Sequence, residues 1–405
     1  MNKKTIKDID VKNKIVLVRD DFNVPIKDRK ILDDFKIRKS LDTINYLIKQ
    51  NAKIVLMSHL GKPKGKIVEN LRLKPVAECL AAMMNKRIVT TKTQKTGEDS
   101  KNGVIYYCDD CIGNIVKKTI NDADFGDIIL LENVRFYPEE EKNDVEFAKK
   151  LASLGEIFCE DGFGSVHRGH ASVSGIAKFL PAVAGLLLER EVDVLTEVLE
   201  KPEHPYLVIL GGAKISTKLN LINKLAKQAD KLLVAGALSN TIFMANGLNV
   251  GGSLVEKEMI DQIKTTVLKN NNIDIPIDVV VGKENGDNAR IVDVGNGISN
   301  DEFIYDIGPK TIELFKRKID KSSLVVWNGP MGKFENERYA KGTFELAKEL
   351  VKVKKAVVGG GETSMAIREL GLEDKIYHLS TGGGAMLEFL EGKEMPGIEC
   401  LQVKS

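Results

Sequence analysis

The sequence is poor in the features that mark several common protein classes. Aromatic residues are few, with one tryptophan and 6% Phe, Trp and Tyr together, so no run of rings offers a platform for stacking nucleic-acid bases. Neither sign of charge is in excess. The 60 Lys and Arg against 58 Asp and Glu leave a formal charge of +2, far from the basic surplus that a sequence-independent grip on nucleic acid needs. Any anionic partner must therefore meet a local cluster of cations. Long apolar runs are also missing: the longest, Phe179 to Leu188, contains Pro181 and is roughly half of the ~20 residues that cross a bilayer. No membrane partner is expected. The stretch Met1 to Asp8 has no apolar segment behind its lysines, so it does not read as a secretory signal, and a cytoplasmic enzyme is expected. Five cysteines, at 79, 108, 111, 159 and 400, make no disulfide framework. Cys108 and Cys111 form one C-x-x-C with neither a second pair nor a nearby histidine to complete a zinc site. The two commonest phosphate loops, G-x-x-x-x-G-K-[ST] and G-x-G-x-x-G, do not occur, nor does a short solenoid repeat.

What is present is length and alternation. At 405 residues the chain suits two domains, each with its own core. Short runs rich in Val, Ile and Leu alternate with helical periodicity, which predicts an α/β fold with mostly parallel sheets. In the first half the runs are Lys14 to Val18, Lys53 to Met57, Val104 to Tyr107, Ile128 to Leu131 and Glu156 to Cys159. In the second they are Tyr206 to Leu210, Lys231 to Ala235, Asp278 to Val281, Leu324 to Trp327 and Ala356 to Val358. Ile37, Leu41, Ile44 and Ile48 space one apolar stripe along a helix whose N-cap is Asp33 or Asp34. The expected division is residues 1–184, a connecting helix at 185–201, a second domain at 202–390, and a segment at 391–405 returning to the first domain. Thr90 to Asn102 and Gly282 to Asn300 read as loose segments.

Polar and glycine-rich clusters begin where the apolar runs stop, and in doubly wound sheets that is the ligand-binding edge. After the first series come Arg19-Asp20-Asp21-Phe22-Asn23, Ser58-His59-Leu60-Gly61-Lys62, Glu132-Asn133-Val134-Arg135 and Asp161 to Gly164, leading to His167-Arg168-Gly169-His170. Such cations suit a small ligand with phosphate and carboxylate groups; the bland alternative is that each merely solvates a loop. After the second series come Gly211-Gly212-Ala213-Lys214 with Lys218, Asn328-Gly329-Pro330, Gly359-Gly360-Gly361-Glu362-Thr363 and Thr381 to Gly384. Glycines there allow close backbone approach, and a following helix offers free N–H groups to an anion. That edge reads as a nucleotide phosphate site.

These blocks, from Arg19 to Gly397, together resemble the phosphoglycerate kinase family over nearly the whole chain. The resemblance implies two doubly wound domains joined by a hinge helix, the first holding 3-phosphoglycerate or 1,3-bisphosphoglycerate and the second holding ATP or ADP with Mg²⁺. It implies a monomer that transfers the phosphoryl group directly, in line, on domain closure. Asp21 and Asn23 are then expected at the glycerate hydroxyl and carboxylate, over a basic patch of Arg19, His59, Lys62, Arg135 and Arg168, with His167 and His170 nearby. Lys214 is expected at the transferring phosphoryl group and Lys218 at the nucleotide phosphates. Gly212, Ala213, Gly236, Asn328, Pro330 and Thr363 would border the nucleotide, with Glu335 at its ribose. The Gly360–Gly361 backbone would support the phosphates, and Glu362 would lie near the metal.

Three positions depart from the family pattern. Lys36 stands where an arginine usually stabilises the moving phosphoryl group, Lys62 replaces a second arginine, and Glu362 replaces an aspartate. Lysine keeps the charge but not the planar fork. A catalytically weak phosphate-binding paralogue is therefore the alternative expectation. Arg38 is no substitute for Lys36, because residues two apart on a helix face different ways.

Overall fold

The computed structural model describes residues 1–90, 103–296 and 298–404. The chain divides into two compact units, Met1–Leu195 joined by the residues from Lys393 onward, and Thr196–Gly392. The helix Leu186–Glu200 contains the point of division.

The first unit is built on seven strands: β1 (Ile15–Arg19), β4 (Lys53–Met57), β5 (Arg87–Thr90), β6 (Val104–Tyr107), β7 (Ile128–Leu130), β8 (Ile157–Glu160) and β9 (Ala182–Ala184). They lie in the order β5-β6-β7-β4-β1-β8-β9, and every pairing is parallel. A small antiparallel hairpin, β2 (Ile26–Lys27) with β3 (Lys30–Ile31), stands apart. Strands covered on both faces need apolar side chains at successive positions, and β4 and β6 are buried at every residue. The helix Phe35–Lys49 buries Phe35, Ile37, Ser40, Thr43, Ile44 and Leu47 along one face. Its N-cap is Asp34, whose side chain makes no capping bond. Asp33 does the work instead, accepting from Phe35 N at 3.0 Å. At the other end of the chain, Gln402 N donates to Ala182 O at 3.0 Å and Gly397 N to Val166 O at 2.8 Å, both within this unit.

The second unit has six parallel strands, β10 (Tyr206–Leu210), β11 (Lys231–Val234), β12 (Ile273–Asp274), β16 (Leu324–Asn328), β17 (Lys355–Gly359) and β18 (His378–Leu379), ordered β12-β11-β10-β16-β17-β18. The predicted α/β class with mostly parallel sheets is borne out. One predicted strand behaves differently. Asp278 to Val281 forms β13 (Asp278–Gly282), which leaves the parallel series and pairs antiparallel with β14 (Arg290–Asp293) and β15 (Phe303–Ile307). Gly282 to Asn300, expected to be loose, contains β14, anchored by the paired bonds of Arg290 to Glu302, both 2.6 Å. A separate apolar cluster of Phe243, Val250, Val279, Val281, Val292 and Ile298 underlies this sheet. The other segment expected to be loose, Thr90 to Asn102, lies outside the described residues beyond Thr90, the last residue of β5.

Strand order reverses between β1 and β8 in the first unit and between β10 and β16 in the second. Loops leaving adjacent strands at such a reversal turn in opposite directions and open a crevice at the carboxyl edge. The crevices fall at Asp20–Asn23 and Asp161–Gly164, and at Gly211–Gly212 and Asn328–Pro330.

Candidate active site

In the first unit the crevice is organised around Asp21. Its Oδ2 accepts from Lys36 Nζ at 2.6 Å, its Oδ1 accepts from Asn23 N at 3.1 Å, and His59 Nδ1 lies 4.0 Å from Oδ1. Burial works to raise the Asp21 pKa, but the charges around it, Lys36 foremost, outweigh burial and hold the carboxyl well below its usual range. Gly164 makes room for this pair: a Cβ there would stand 2.0 Å from Asp21 Oδ2. Asn23 is exposed and its Oδ1 accepts from Gly61 N at 2.9 Å.

Arg19 lies beneath the site rather than in it. It is fully buried, and its guanidinium is spent on Ser172 Oγ (2.9 Å), Asp20 O and His59 Nδ1 (3.1 Å). Strand β1 carries it inward, so it orients His59. Burial, followed by the neighbouring arginines, depresses the His59 pKa despite Asp21, and the ring stays neutral.

Arg135 is the site's most available buried cation. Asn133 positions it by accepting from Arg135 N at 3.1 Å, and its Nη1 donates to Gly61 O at 2.9 Å. Its Nε and Nη2 are buried without a hydrogen-bond partner, although Glu141 Oε1 lies 3.4 Å from Nε. Burial, with Arg168 and Arg19 adding repulsion, lowers its pKa to about 10. A bound anion would relieve both costs. Arg168 donates to His167 Nε2 at 3.1 Å, and buried His170, pushed down to about 4 chiefly by burial, is neutral. Lys62 does not join this group. It is exposed, beside Gly61 in its left-handed turn at φ +61°. Arg38 pairs with Asp34 at 2.8 Å while Lys36 pairs with Asp21, so the two do separate as expected.

Sequence reasoning missed the carboxylate supporting these cations. Glu140 is completely buried and accepts from Ser172 N at 2.9 Å and Ser172 Oγ at 2.6 Å, linking it to Arg19, and it lies 3.8 Å from His170. In the sequence it is one of three consecutive glutamates, and nothing in that run marks which of them is buried. Asp20, in the same region, is also buried, with neither oxygen hydrogen-bonded, and burial raises its pKa strongly.

In the second unit the crevice is a cavity of about 570 Å³ lined by Gly212, Ala213, Gly236, Pro330, Glu335 and Glu362 among others. Its floor depends on missing side chains. A Cβ on Gly211 would meet Pro330 O at 2.0 Å, and one on Gly329, at φ +91°, would meet Gly211 O at 2.3 Å. Lys218 Nζ donates to Gly211 O at 2.5 Å and Asn328 Oδ1 at 3.1 Å, and burial lowers its pKa to about 8. Asn328 Nδ2 is buried without a partner. Thr363 Oγ1 accepts from Gly329 N at 2.8 Å, so Thr363 fixes the loop from behind. Gly360, at φ +100°, is the N-cap of the helix Gly361–Glu369 and offers no side chain to its first N–H groups. Glu362 is exposed in that first turn, and burial of its surroundings followed by Glu335 raises its pKa. Lys214 is exposed.

Sequence reasoning also missed the cavity's apolar wall. Leu254, Val279, Phe303 and Tyr305 line it, and the last three belong to the antiparallel sheet. Asp306 in β15, its pKa raised by burial to about 7, anchors that wall by accepting from Ile307 N and Gly342 N.

Parallel sheets with crevices at their strand reversals, one lined by cations and one by glycines, give an α/β architecture with the chemistry a phosphotransferase needs. The family model of phosphoglycerate kinase matches residues 6–393. The phosphoglycerate kinase of Pelotomaculum thermopropionicum is 43% identical over 408 residues, 99% of each chain, and that of Dictyoglomus turgidum is 46% identical over 415 residues, 100% of each. Among solved structures, phosphoglycerate kinase from Coxiella burnetii is similar with a TM-score of 0.79 at 36% identity, and that from Pyrococcus horikoshii with 0.84 at 28%, each covering 98% of both chains. The chain belongs to the phosphoglycerate kinase family. Its activity is that of the family, a phosphotransferase using ATP and ADP. No helix among the described residues is long and apolar enough to cross a membrane.

Proposed function

We propose that the basic crevice of the first unit holds 3-phosphoglycerate or 1,3-bisphosphoglycerate, the glycine-lined cavity of the second holds MgATP or MgADP, and the phosphoryl group passes directly between them. The observation that carries this reading is the Arg135 guanidinium, buried with Nη2 unpartnered at the edge where Asp21, His59 and Arg168 converge. In the proposal Arg135 and Arg168 bind anionic oxygens of the glycerate, while Asp21 and Asn23 orient its hydroxyl and carboxylate. Neutral His59 and His170 donate or accept without adding charge. Lys36 and Lys214 neutralise the group in flight, which is the main demand of phosphoryl transfer. The acceptor carboxylate is already nucleophilic, so no general base is needed, and water must be kept from the acyl phosphate.

On the nucleotide side, Lys218 and the N–H groups at Gly360 and Gly361 take phosphate oxygens, Asn328 Nδ2 and the Gly212–Ala213 and Pro330 backbones border the nucleotide, and Glu335 takes the ribose. Gly236, at φ +66°, leaves the cavity open. Among the described residues no group of three or more His, Cys, Asp or Glu could hold a metal ion by itself. A single carboxylate, Glu362, suits Mg²⁺ that is carried largely by nucleotide oxygens and water; the ion would neutralise phosphate charge there. The family resemblance favours a monomer, and the five free thiols support a cytoplasmic location.

The test is turnover of MgATP and 3-phosphoglycerate, coupled to a dehydrogenase consuming 1,3-bisphosphoglycerate, for the wild type and Lys214→Ala. Robust turnover lost in the variant supports the assignment. Binding of both ligands by calorimetry without turnover would favour the weak paralogue instead.

A further inference from the structure

The second unit holds another cavity, of about 420 Å³, at the opposite edge of the same sheet. It lies where β10 and β11 begin, at Tyr206 and Lys231, whereas Gly212 and Gly236 of the nucleotide cavity follow the far ends of these two strands. With about 3.3 Å per residue, a five-residue strand keeps the two openings well apart.

The chemistry of this cavity is distinct. Its walls combine apolar Pro205, Leu207 and Leu314 with cations from the last turn of the helix Pro309–Asp320 and the residue following it. Lys231 and Lys318 share one carboxylate, Asp274, at 3.7 and 3.0 Å. Asp230, the acid in the lining, is already engaged by His204 Nδ1 and by Tyr206 N, both at 2.6 Å. Arg317 and Lys321 have no ionic partner among the described residues. Tyr206 is 1% exposed, and its hydroxyl is buried with no hydrogen-bond partner. A buried hydroxyl left unpaired is costly, and the family reaction makes no use of it at this edge.

We infer that this cavity is a second ligand site, for a small aromatic anion whose ring packs on the accessible Pro205 and Leu314 and whose charge meets Arg317 and Lys321. Its volume falls in the range of small-molecule sites, and apolar walls with a few convergent polar groups are their usual lining. A ring carrying a carboxylate or sulfonate matches both the walls and the surplus cations. A nucleotide triphosphate does not, because the site has neither a glycine loop nor a free helix N-terminus.

The test uses the full-length protein and 8-anilinonaphthalene-1-sulfonate as the probe, followed by fluorescence with and without saturating MgATP. One saturable site that persists in MgATP is expected, weakened at least tenfold in Arg317→Glu/Lys321→Glu and severalfold in Leu314→Ala. The variants are checked for wild-type circular dichroism and phosphotransferase turnover, and Arg317→Ala alone, expected to weaken binding by a smaller factor, serves if the double reversal fails to fold. Absence of saturable binding, complete displacement by MgATP, or an affinity unchanged by loss of the cations would overturn the inference.

Discussion

Lys36 Nζ and Asp21 Oδ2 stand 2.6 Å apart, with the aspartate side chain 6% exposed and the lysine 25%. The residue in the arginine position is thus held by the very carboxylate proposed to orient the glycerate. Lysine reaches it as a single point charge, leaving its other donors for the transferring group.

Replacing the lysine by the family's arginine is expected to raise turnover. An arginine at Lys36 can keep one fork arm on Asp21 and present the other to the phosphoryl oxygens, whereas Lys36→Ala is expected to lower kcat by about 10³. Steady-state kinetics of both variants decide this. An unchanged or lower kcat in Lys36→Arg would show that the lysine is already the better fit here.

The same pair carries a pH signature. Asp21 titrates below its unfolded value in the folded chain, so its contribution to stability is present above about pH 3.9 and is lost as pH falls through the folded value. In Lys36→Met, burial is opposed mainly by the remaining cations, and the Asp21 pKa rises. The variant should be destabilised by about 1–3 kcal/mol at pH 7, and the deficit should shrink toward pH 3. Urea unfolding midpoints at pH 3, 5 and 7 measure it.

Gly164→Ala tests the space around the pair. The added methyl would lie 2.0 Å from Asp21 Oδ2 and 3.5 Å from Lys36 Nζ, so the aspartate must swing away. An overpacking cost of about 1–3 kcal/mol is expected, together with a rise in KM for 3-phosphoglycerate and little change in KM for ATP. A thermal melt and the two KM values check the prediction.

Lys218 should limit nucleotide binding at high pH. Burial lowers its pKa to about 8, below the unfolded value of about 10.4. The folded chain therefore binds fewer protons than the unfolded one between these values, and this group makes stability rise with pH across that window. Phosphate binding needs the ammonium, so the dissociation constant for ATP should climb above about pH 8, and Lys218→Arg should remove that climb. Calorimetric titrations from pH 7 to 9.5 would show a flat profile in both proteins if the lysine is not engaged.

The central parallel strands were legible because they are covered on both faces and so write a continuous apolar run; Lys53 to Met57 and Tyr206 to Leu210 match residue for residue. The edge strands β5, β9, β12 and β18, short or partly exposed, were not read, and of the antiparallel sheet only β13 was. β14 is a four-residue strand with its first two positions exposed, and it is set among glycines and asparagines, so its apolar signal is too weak to separate from a loop. That sheet supplies Phe303 and Tyr305 to the cavity wall, which is why the apolar side of the nucleotide cavity went unseen.

By itself the sequence determined the fold class, the family and the residue types gathered at each strand edge, because these depend on local patterning and on motif identity. Only the tertiary structure decided what each charge does. Long-range packing buries Arg19 and turns it into a support for His59, leaves Arg135 Nη2 without a hydrogen-bond partner, ties Lys36 to Asp21 and sets Lys62 out in solvent. Spacing along the chain cannot distinguish these four cations, because burial and ion pairing are set by residues up to 153 positions away, as between Arg19 and Ser172.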